Sequence, residues 1–295
     1  MTDISQAETD RTLEGIGWMV LTTLFFVTVT GIVRFLGSDM PAAEGAFIRY
    51  AIGLAMLVPF MGPLLRNRPT PKALKIYTMR GLLHGMAVML WFYAMARIPI
   101  AEVTAIGYTA PIFVAIGAAV FLGEQMKLRR IVAILVAFVG TLIILRPGLQ
   151  EISPGHLAQL GAAPCFAASF LLAKRLTDTV DATSIVIMLS VGCTIFLFPI
   201  ALSDWRDPTW VELFWLTLTA IFATAGHWTM TRAFSCAPIT VTQPVGFLQL
   251  VWATLLGVTV FGEGIDPFVI LGGAVVIGSA TYISHREAVA ARKPR

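Results

Sequence analysis

The fold of this chain is decided by a repeated stretch, which reads PIAEVTAIGYTAPIFVAIGAAVFLGE at residues 99–124 and PITVTQPVGFLQLVWATLLGVTVFGE at residues 238–263. Both copies begin with Pro-Ile and reach Gly-Glu 24 residues after the proline, and they lie 139 residues apart. Gly107 and Gly246 occupy the same place in the two copies. The two halves of the chain are therefore copies of one structural unit.

The match continues outside this stretch. Arg34-Phe-Leu36 aligns with Lys174-Arg-Leu176 at an offset of 140 residues, and Ala94 aligns with Ala233 at an offset of 139. The repeat therefore reaches the front of each half.

The composition is that of a membrane protein. Of 295 residues, 57% are hydrophobic and only 13% are charged, whereas soluble proteins carry about 25% charged residues. So few charges cannot cover the surface of a soluble globule of this size. This excludes a cytoplasmic enzyme, a disordered chain and a nucleic-acid-binding protein.

Ten apolar runs are long enough to cross a bilayer core about 30 Å thick as helices. They lie at residues 15–37, 41–61, 74–95, 100–122, 129–146, 155–174, 182–203, 209–231, 239–261 and 266–284. Five helices per repeat is an odd number, so the second copy must enter the membrane upside down relative to the first. The sequence predicts an all-α integral membrane protein of ten transmembrane helices in two inverted five-helix repeats.

The domain organisation follows from these runs. We expect a cytoplasmic N-terminal tail at residues 1–14, a first repeat at 15–148, a second repeat at 149–284 and a basic cytoplasmic tail at 285–295. If the N-terminus is cytoplasmic, fifteen of the 21 Lys and Arg residues lie in inner loops and tails. That asymmetry predicts that both termini lie on the cytoplasmic side.

Several quoted segments resemble the first EamA-type repeat of the drug/metabolite transporter superfamily. They are Arg80-Gly-Leu-Leu83, WFYAMARIPIAE at 91–102, Tyr108-Thr-Ala-Pro-Ile-Phe113, Phe121-Leu-Gly-Glu124 and Leu145-Arg-Pro-Gly148. The second copy departs from the pattern, with Leu250 where Pro111 would fall. The resemblance implies a cavity walled by the third, fourth, eighth and ninth helices, with the fifth and tenth as peripheral scaffold.

The function that the resemblance implies is export of small organic solutes by alternating access through a central cavity, and the location that it implies is a bacterial inner membrane. Among members of the superfamily, the bacterial exporters of amino acids, aromatic ones included, are the most similar. A multidrug or nucleotide-metabolite exporter of the same fold and a channel are the alternatives. The chain has no ATP-binding or hydrolase motif, so we expect no enzyme. We also expect no cofactor, metal or nucleic-acid partner; the partners are a small-molecule substrate and the bilayer, and the chain is expected to act as a monomer.

Ionisable groups inside the hydrocarbon are rare and mark candidate functional sites. Arg49 and His84 lie near the midplane of helices two and three, where each either binds substrate or packs the helices. His84 is the expected midplane titratable group. Arg80 lies one turn before it, beside a Gly81-x-x-x-Gly85 packing motif.

Glu44 and Glu102 each follow a proline by three residues. That spacing is typical of a helix start, where a carboxylate meets free backbone amides. The alternative is a coupling or gating carboxylate at the outer mouth, with Glu44 near Arg49. Gly262-Glu263 is interpreted as a turn, in which the glycine ends one helix and the glutamate caps the next.

Helices four and nine are predicted to be interrupted and to line the cavity. The interrupting residues are Pro111, Gly107, Pro244 and Gly246. The candidate substrate-binding residues are His84, Trp91, Thr104, Tyr108, Trp228, Gln249 and Trp252. Each tryptophan is either core or a surface on which a solute stacks.

Overall fold

The computed structural model describes residues 2–37, 39–62, 64, 69–110, 112–113, 128–146, 151–237, 242 and 245–291. Within these residues the bounded α-helices are α1 (Thr2–Leu36), α2 (Ala42–Leu57), α3 (Pro71–Met95), α4 (Ile100–Gly107), α5 (Leu128–Leu145), α6 (Pro154–Leu176), α7 (Ala182–Leu202), α8 (Trp210–Cys236), α9 (Leu248–Phe261) and α10 (Pro267–Ala291). No strand occurs within these residues. The all-α prediction is confirmed, and α1 begins well before residue 15, where the first span was expected.

By length and composition, four of the described helices could cross a membrane. They are Arg11–Leu36, Ala42–Phe60, Pro154–Leu176 and Ala182–Leu202. The apolar helices Ile131–Leu145, Leu248–Phe261 and Pro267–Ser279 are shorter.

Local sequence signals set several helix ends. The Thr70 hydroxyl accepts a hydrogen bond from the amide of Ala73, with Pro71 as the first residue of α3. Thr209 and Glu212 form a reciprocal capping box that begins α8. At the end of α9, Gly262 adopts a φ of 63°, a left-handed conformation that glycine accepts at little cost.

The packing of the helices reflects the repeat. Helix α1 packs on α8, and α6 packs on α3. Helix α1 also contacts α9 as α6 contacts α4, while α2 pairs with α7, α4 with α9 and α5 with α10. Exchanging each helix for the one five places along the chain leaves this pattern unchanged. Such invariance is the signature of two copies related by a pseudo-two-fold axis.

Equivalent hydrogen bonds occur in the two repeats. The Arg34 guanidinium at the end of α1 donates to the carbonyl oxygens of Met95 and Ile98, just where α3 ends. The Lys174 ammonium near the end of α6 donates to the carbonyl oxygen of Phe234, near the end of α8. Each cation satisfies carbonyls that a helix end leaves free. The alignment of Arg34 with Lys174 therefore has a structural counterpart.

Two glycine contacts bring the backbones of the repeats together. A Cβ on Gly81 of α3 would lie 2.6 Å from the Cα of Gly192 on α7, closer than real Cβ atoms approach. A Cβ on Gly272 of α10 would lie 2.5 Å from the carbonyl oxygen of Gly140 on α5. Gly85 packs on Phe196 of α7, so the Gly81-x-x-x-Gly85 motif serves helix packing, as expected.

Candidate functional site

A central cavity of about 240 Å³ lies between the repeats. Side chains of α3, α4, α8 and α9 line it, as the sequence resemblance implies, and α1, α2 and α6 complete the wall. Residues of α5, α7 and α10 are absent from the described lining. The scaffold role expected of α5 and α10 is consistent with this arrangement.

Most of the sequence-predicted residues meet in this cavity. Its lining includes Arg49, His84, Trp91, Thr104, Gly107, Tyr108, Gly246 and Gln249. Pro111 and Pro244 lie outside the described residues. Helix α4 nevertheless ends at Gly107, and Phe247 forms a turn just before α9. Backbone irregularities thus border the cavity at equivalent points of the two repeats.

Two of the predicted tryptophans lie off the cavity lining. The Trp228 indole donates to the Thr183 hydroxyl and packs edge-on against Trp18, with ring centroids 5.4 Å apart. The Trp252 indole donates to the hydroxyl of Thr23, which itself lines the cavity. Both indoles therefore join helices, and Trp252 supports the cavity wall from behind.

Tyr108 connects the repeats across the cavity. Its hydroxyl lies 3.1 Å from the carbonyl oxygen of Gly246 and 3.3 Å from that of Phe247, and it donates to this pair. Its ring packs edge-on against Phe247, with centroids 4.9 Å apart. These carbonyls belong to the turn that precedes α9, so Tyr108 holds the interrupted segments of the two repeats together.

Much of the wall is aromatic. Phe166 and Phe170 of α6 stack with an interplanar angle of 15°. Phe26 of α1 packs edge-on against His227, and Phe166 does the same against His84. Flat, rigid rings arranged in this way suit an apolar, planar ligand.

The centre of the cavity contains polar groups that the sequence interpretation missed. His227 of α8 faces His84, with ring centroids 4.9 Å apart, so His84 is not the only midplane histidine. Gln159 of α6 lies beside Gly107, where a Cβ would sit 3.1 Å from its amide nitrogen. His227 lies deep in an apolar run, so the criterion that selected His84, an ionisable group within a membrane-spanning segment, should have selected His227 as well. Gln159 is near the start of its helix, which gave no such signal.

Arg80 is fully buried away from the cavity lining. Its Nη1 donates to the carbonyl oxygen of Ile185 on α7 at 3.0 Å. This side chain therefore ties α3 to α7, beside the contact between Gly81 and Gly192.

The end of the bundle remote from the N-terminus is crossed by polar contacts between the repeats. We call this set the outer latch; its pairs are Arg34 with Glu263, Arg146 with Asp266, Glu102 with His156, and Glu44 with Arg206. Each pair joins a residue of the first half of the chain to one of the second. These contacts join the two repeats at that end of the bundle.

The two carboxylates at helix starts belong to the outer latch. Glu102 Oε2 lies 2.7 Å from His156 Nε2, and both side chains are buried. The backbone amide of Ser153 donates to His156 Nδ1, so a neutral ring carries its proton on Nε2 and donates it to Glu102. Glu44 Oε2 accepts a hydrogen bond from the backbone amide of Arg206 at 3.0 Å. Each carboxylate of the first repeat thus bonds to the second.

Glu263 has a role different from the one expected. Its Oε2 accepts a hydrogen bond from the amide of Ile100, the first residue of α4, at 3.0 Å. Its Oε1 lies 3.1 Å from Arg34 Nη2. The ring of Pro99, which precedes α4, has no atom that can accept a hydrogen bond and cap the helix. Glu263 of the opposite repeat supplies the acceptor, and it does not cap the next helix along the chain.

Polar contacts between the repeats are weaker at the opposite end. Arg232 Nη2 lies 3.4 Å from Glu14 Oε1, and both side chains are more than 40% exposed. Arg11 Nη2 lies 3.4 Å from the Ser235 carbonyl oxygen, also in an exposed position. Exposed contacts at this distance contribute little to stability. Of the described ion pairs at the two ends of the bundle, those of the outer latch are therefore the more buried, and the Arg80 bond to Ile185 joins the repeats in addition to them.

Known transporters are similar in sequence over nearly the whole chain. A riboflavin transporter of Vibrio cholerae is 28% identical over 288 residues, which cover 96% of this chain and 97% of the relative. An S-adenosylmethionine uptake transporter of Rickettsia bellii is 27% identical over 282 residues, covering 95% and 96%. A pseudopaline exporter of Pseudomonas aeruginosa is 26% identical over 283 residues, covering 94% and 98%.

A solved crystal structure matches the fold with a TM-score of 0.58 at 18% identity, over 92% of this chain and 96% of that chain. The sequence profile of the EamA-like transporter family matches twice, at residues 13–146 and 153–285. Because these two matches together span almost the entire sequence, and the helices pack as two equivalent sets of five, the chain belongs to the EamA-like transporter family.

Proposed function

We propose that this membrane transporter moves a small organic solute containing a flat aromatic ring through the central cavity. The observation that carries the proposal is the composition of the cavity wall. Aromatic rings from both repeats surround a few polar groups, as in sites that bind bulky, mostly apolar ligands. The polar groups then fix the orientation of the solute.

The relatives support this substrate class. Their names include riboflavin and S-adenosylmethionine, and both compounds contain a flat heteroaromatic ring system. None of the relatives described above is named as an amino-acid exporter. An aromatic amino acid meets the same chemical description, so the amino-acid hypothesis stays a prediction within this class. Multidrug and nucleotide-metabolite export are the alternatives.

The transport step is alternating access of the cavity between two sides of the membrane. The outer latch closes one end, and the exposed contacts of Glu14 and Arg11 leave the other end less firmly held. With the termini in the cytoplasm, as the basic residues favour, the latch faces away from the cytoplasm and the cavity loads from inside. We place the protein in a bacterial inner membrane because the relatives described above are bacterial membrane transporters.

The direction of net transport follows the gradient that drives it. The relatives include an uptake transporter and an exporter, so the fold accommodates both. Export stays our prediction for this chain. We expect flux in either direction when the solute gradient is reversed.

The test is flux into liposomes that contain the purified protein. The labelled solutes are riboflavin, S-adenosylmethionine and L-tryptophan, with L-alanine as a small solute lacking a ring. We expect saturable uptake of at least one ring-containing solute, stimulated by the same unlabelled solute inside. Equal flux of L-alanine would refute the ring requirement, and flux that never saturates would indicate a channel.

A further inference from the structure

Four side chains of the cavity wall each carry a buried polar atom without a hydrogen-bond partner among the described residues. These atoms are Arg49 Nε, His84 Nε2, His227 Nδ1 and Gln159 Oε1. Their side chains are at most 6% exposed, and all four line the cavity. A buried polar group without a partner destabilises the fold by about 1–3 kcal/mol, so four on one wall indicate a site for a polar ligand.

The charges on this wall have one sign. Arg49 is the single formally charged residue of the described lining, and no aspartate or glutamate occurs in it. The other ionisable side chains are His84 and His227, which are neutral or positive. A buried guanidinium without a carboxylate favours an anionic partner, because its charge would otherwise be uncompensated in a medium of low dielectric constant.

The three basic groups lie close together. The Arg49 guanidinium carbon lies 3.7 Å from the centroid of the Tyr50 ring, and that ring centroid lies 6.3 Å from His84. The centroid of the His227 ring lies 4.9 Å from that of His84. The Ser169 hydroxyl is 2.8 Å from His84 Nδ1, so it can donate there and leave the proton of His84 on the unpartnered Nε2.

Arg80 shows what a packing role would look like. Its guanidinium is fully buried off the cavity and donates to a helix carbonyl. Arg49 Nε, in contrast, belongs to a side chain of the cavity wall and has no partner in the described part of the chain. Arg80 Nε and Nη2 are unpartnered as well, so what separates the two arginines is their position: only Arg49 belongs to the cavity wall, where a ligand can reach it.

We infer that the transported solute carries a carboxylate, and that Arg49, His84 and His227 form its binding subsite. The inference rests on the proposed function and narrows it to aromatic acids, zwitterions included. The guanidinium supplies the charge and the two imidazoles supply N–H donors. Gln159, whose oxygen is unpartnered, accepts a hydrogen bond from a donor elsewhere on the solute.

The experiment measures binding to the full chain in lipid nanodiscs by isothermal titration calorimetry. Four probes share one indole ring: L-tryptophan, L-tryptophanamide, N-acetyl-L-tryptophan and N-acetyl-L-tryptophanamide. Each acid and its amide differ only in the carboxylate, while acetylation removes the ammonium charge. The acids should bind about ten- to a hundredfold more tightly than their amides, as expected for a charge-assisted hydrogen bond.

Substitutions test the assigned residue. Arg49→Gln should remove the preference for the acids and leave the affinity for the two amides within about threefold. Arg49→Lys, which keeps the charge, should retain part of the preference. The matched control is Arg97→Gln, because Arg97 is exposed and its guanidinium lies over the Tyr93 ring away from the cavity lining.

The outcomes separate the two levels of the proposal. If the amides bind as tightly as the acids, the carboxylate inference is overturned while the requirement for a ring stands. If none of the four probes binds, the carboxylate inference fails, and the ring proposal is decided separately by the flux of riboflavin and S-adenosylmethionine. The comparison of acids with amides needs no variant, so poor folding of Arg49→Gln does not remove the test.

Discussion

Glu263→Gln should open the outer latch. In the native chain Oε1 lies 3.1 Å from Arg34 Nη2, and Oε2 accepts the amide hydrogen of Ile100 at 3.0 Å. Glutamine keeps an acceptor for the Ile100 amide and loses the charge opposite Arg34. The perturbation therefore removes the ionic part of one contact and leaves the start of α4 capped.

The expected size of the effect follows from how far the Arg34 and Glu263 side chains are exposed to solvent. The Arg34 and Glu263 side chains are 24% and 12% exposed, so the pair is stronger than a surface ion pair and weaker than a fully buried one. Losing its charge should destabilise the closed end by about 1–2 kcal/mol. Since 1.4 kcal/mol corresponds to a tenfold change in an equilibrium constant, the ratio of open to closed molecules should rise by roughly 5- to 30-fold.

The assay is the rate at which an impermeant thiol reagent modifies a cysteine in the cavity. Thr104→Cys places the thiol about one turn inside α4, in a chain whose Cys165, Cys193 and Cys236 are replaced by alanine. The reagent is added from the side that the latch faces. Because only open molecules react, the rate should rise in proportion to the open fraction, by roughly 5- to 30-fold.

The matched control is Arg97→Gln, which removes an exposed charge at the same end of the bundle. It should leave the labelling rate within about twofold, since surface charges contribute little. An unchanged rate in a well-folded Glu263→Gln protein would show that the contact with Arg34 does not hold this end closed.

The remaining predictions concern packing, the cavity, topology and coupling. Gly272→Ala should lower the free energy of unfolding by about 1–3 kcal/mol, because the new Cβ would meet a backbone carbonyl. The control Gly278→Ala should not lower it, because no atom lies within 4 Å of the new Cβ. Thermal unfolding followed by size-exclusion chromatography compares the two variants. Tyr108→Ala should reduce saturable flux roughly tenfold, with an unchanged folded fraction; normal flux and affinity would contradict the assigned cavity lining. A cysteine at Asp204 should react with impermeant reagent added to intact cells, and labelling only in inverted vesicles would reverse the orientation. With equal solute on both sides, a pH step should drive no accumulation; accumulation that His84→Gln abolishes would establish proton coupling.

The sequence was most informative where a pattern repeats along the chain. The offset between Arg34 and Lys174 predicted two copies of one unit, and their side chains make equivalent bonds at opposite ends. Helices were predictable because backbone groups in lipid must be satisfied within the segment. Most candidate cavity residues were found because polar groups inside apolar runs are few.

Contacts between distant residues could not be predicted from either partner alone. Glu263 matches a local helix-capping pattern, yet its carboxylate bonds to Ile100 of the other repeat. His156 stands near a helix start, where sequence gives no sign that it bonds to Glu102. Trp228 and Trp252 were ambiguous because an indole at a given depth serves packing or binding equally well, and only the helix rotation decides.

The two glycine contacts between the repeats bear on the mechanics of transport. One joins Gly81 to Gly192, and the other joins Gly140 to Gly272. At these points the backbones of the two repeats come closest together, so we expect them to act as pivots when one repeat turns against the other. Two nearly fixed points define a single line, and rigid rotation about that line has one degree of freedom. Opening one mouth of the cavity would then narrow the other, because the two mouths lie on opposite sides of this axis, and no separate signal between the two ends is needed.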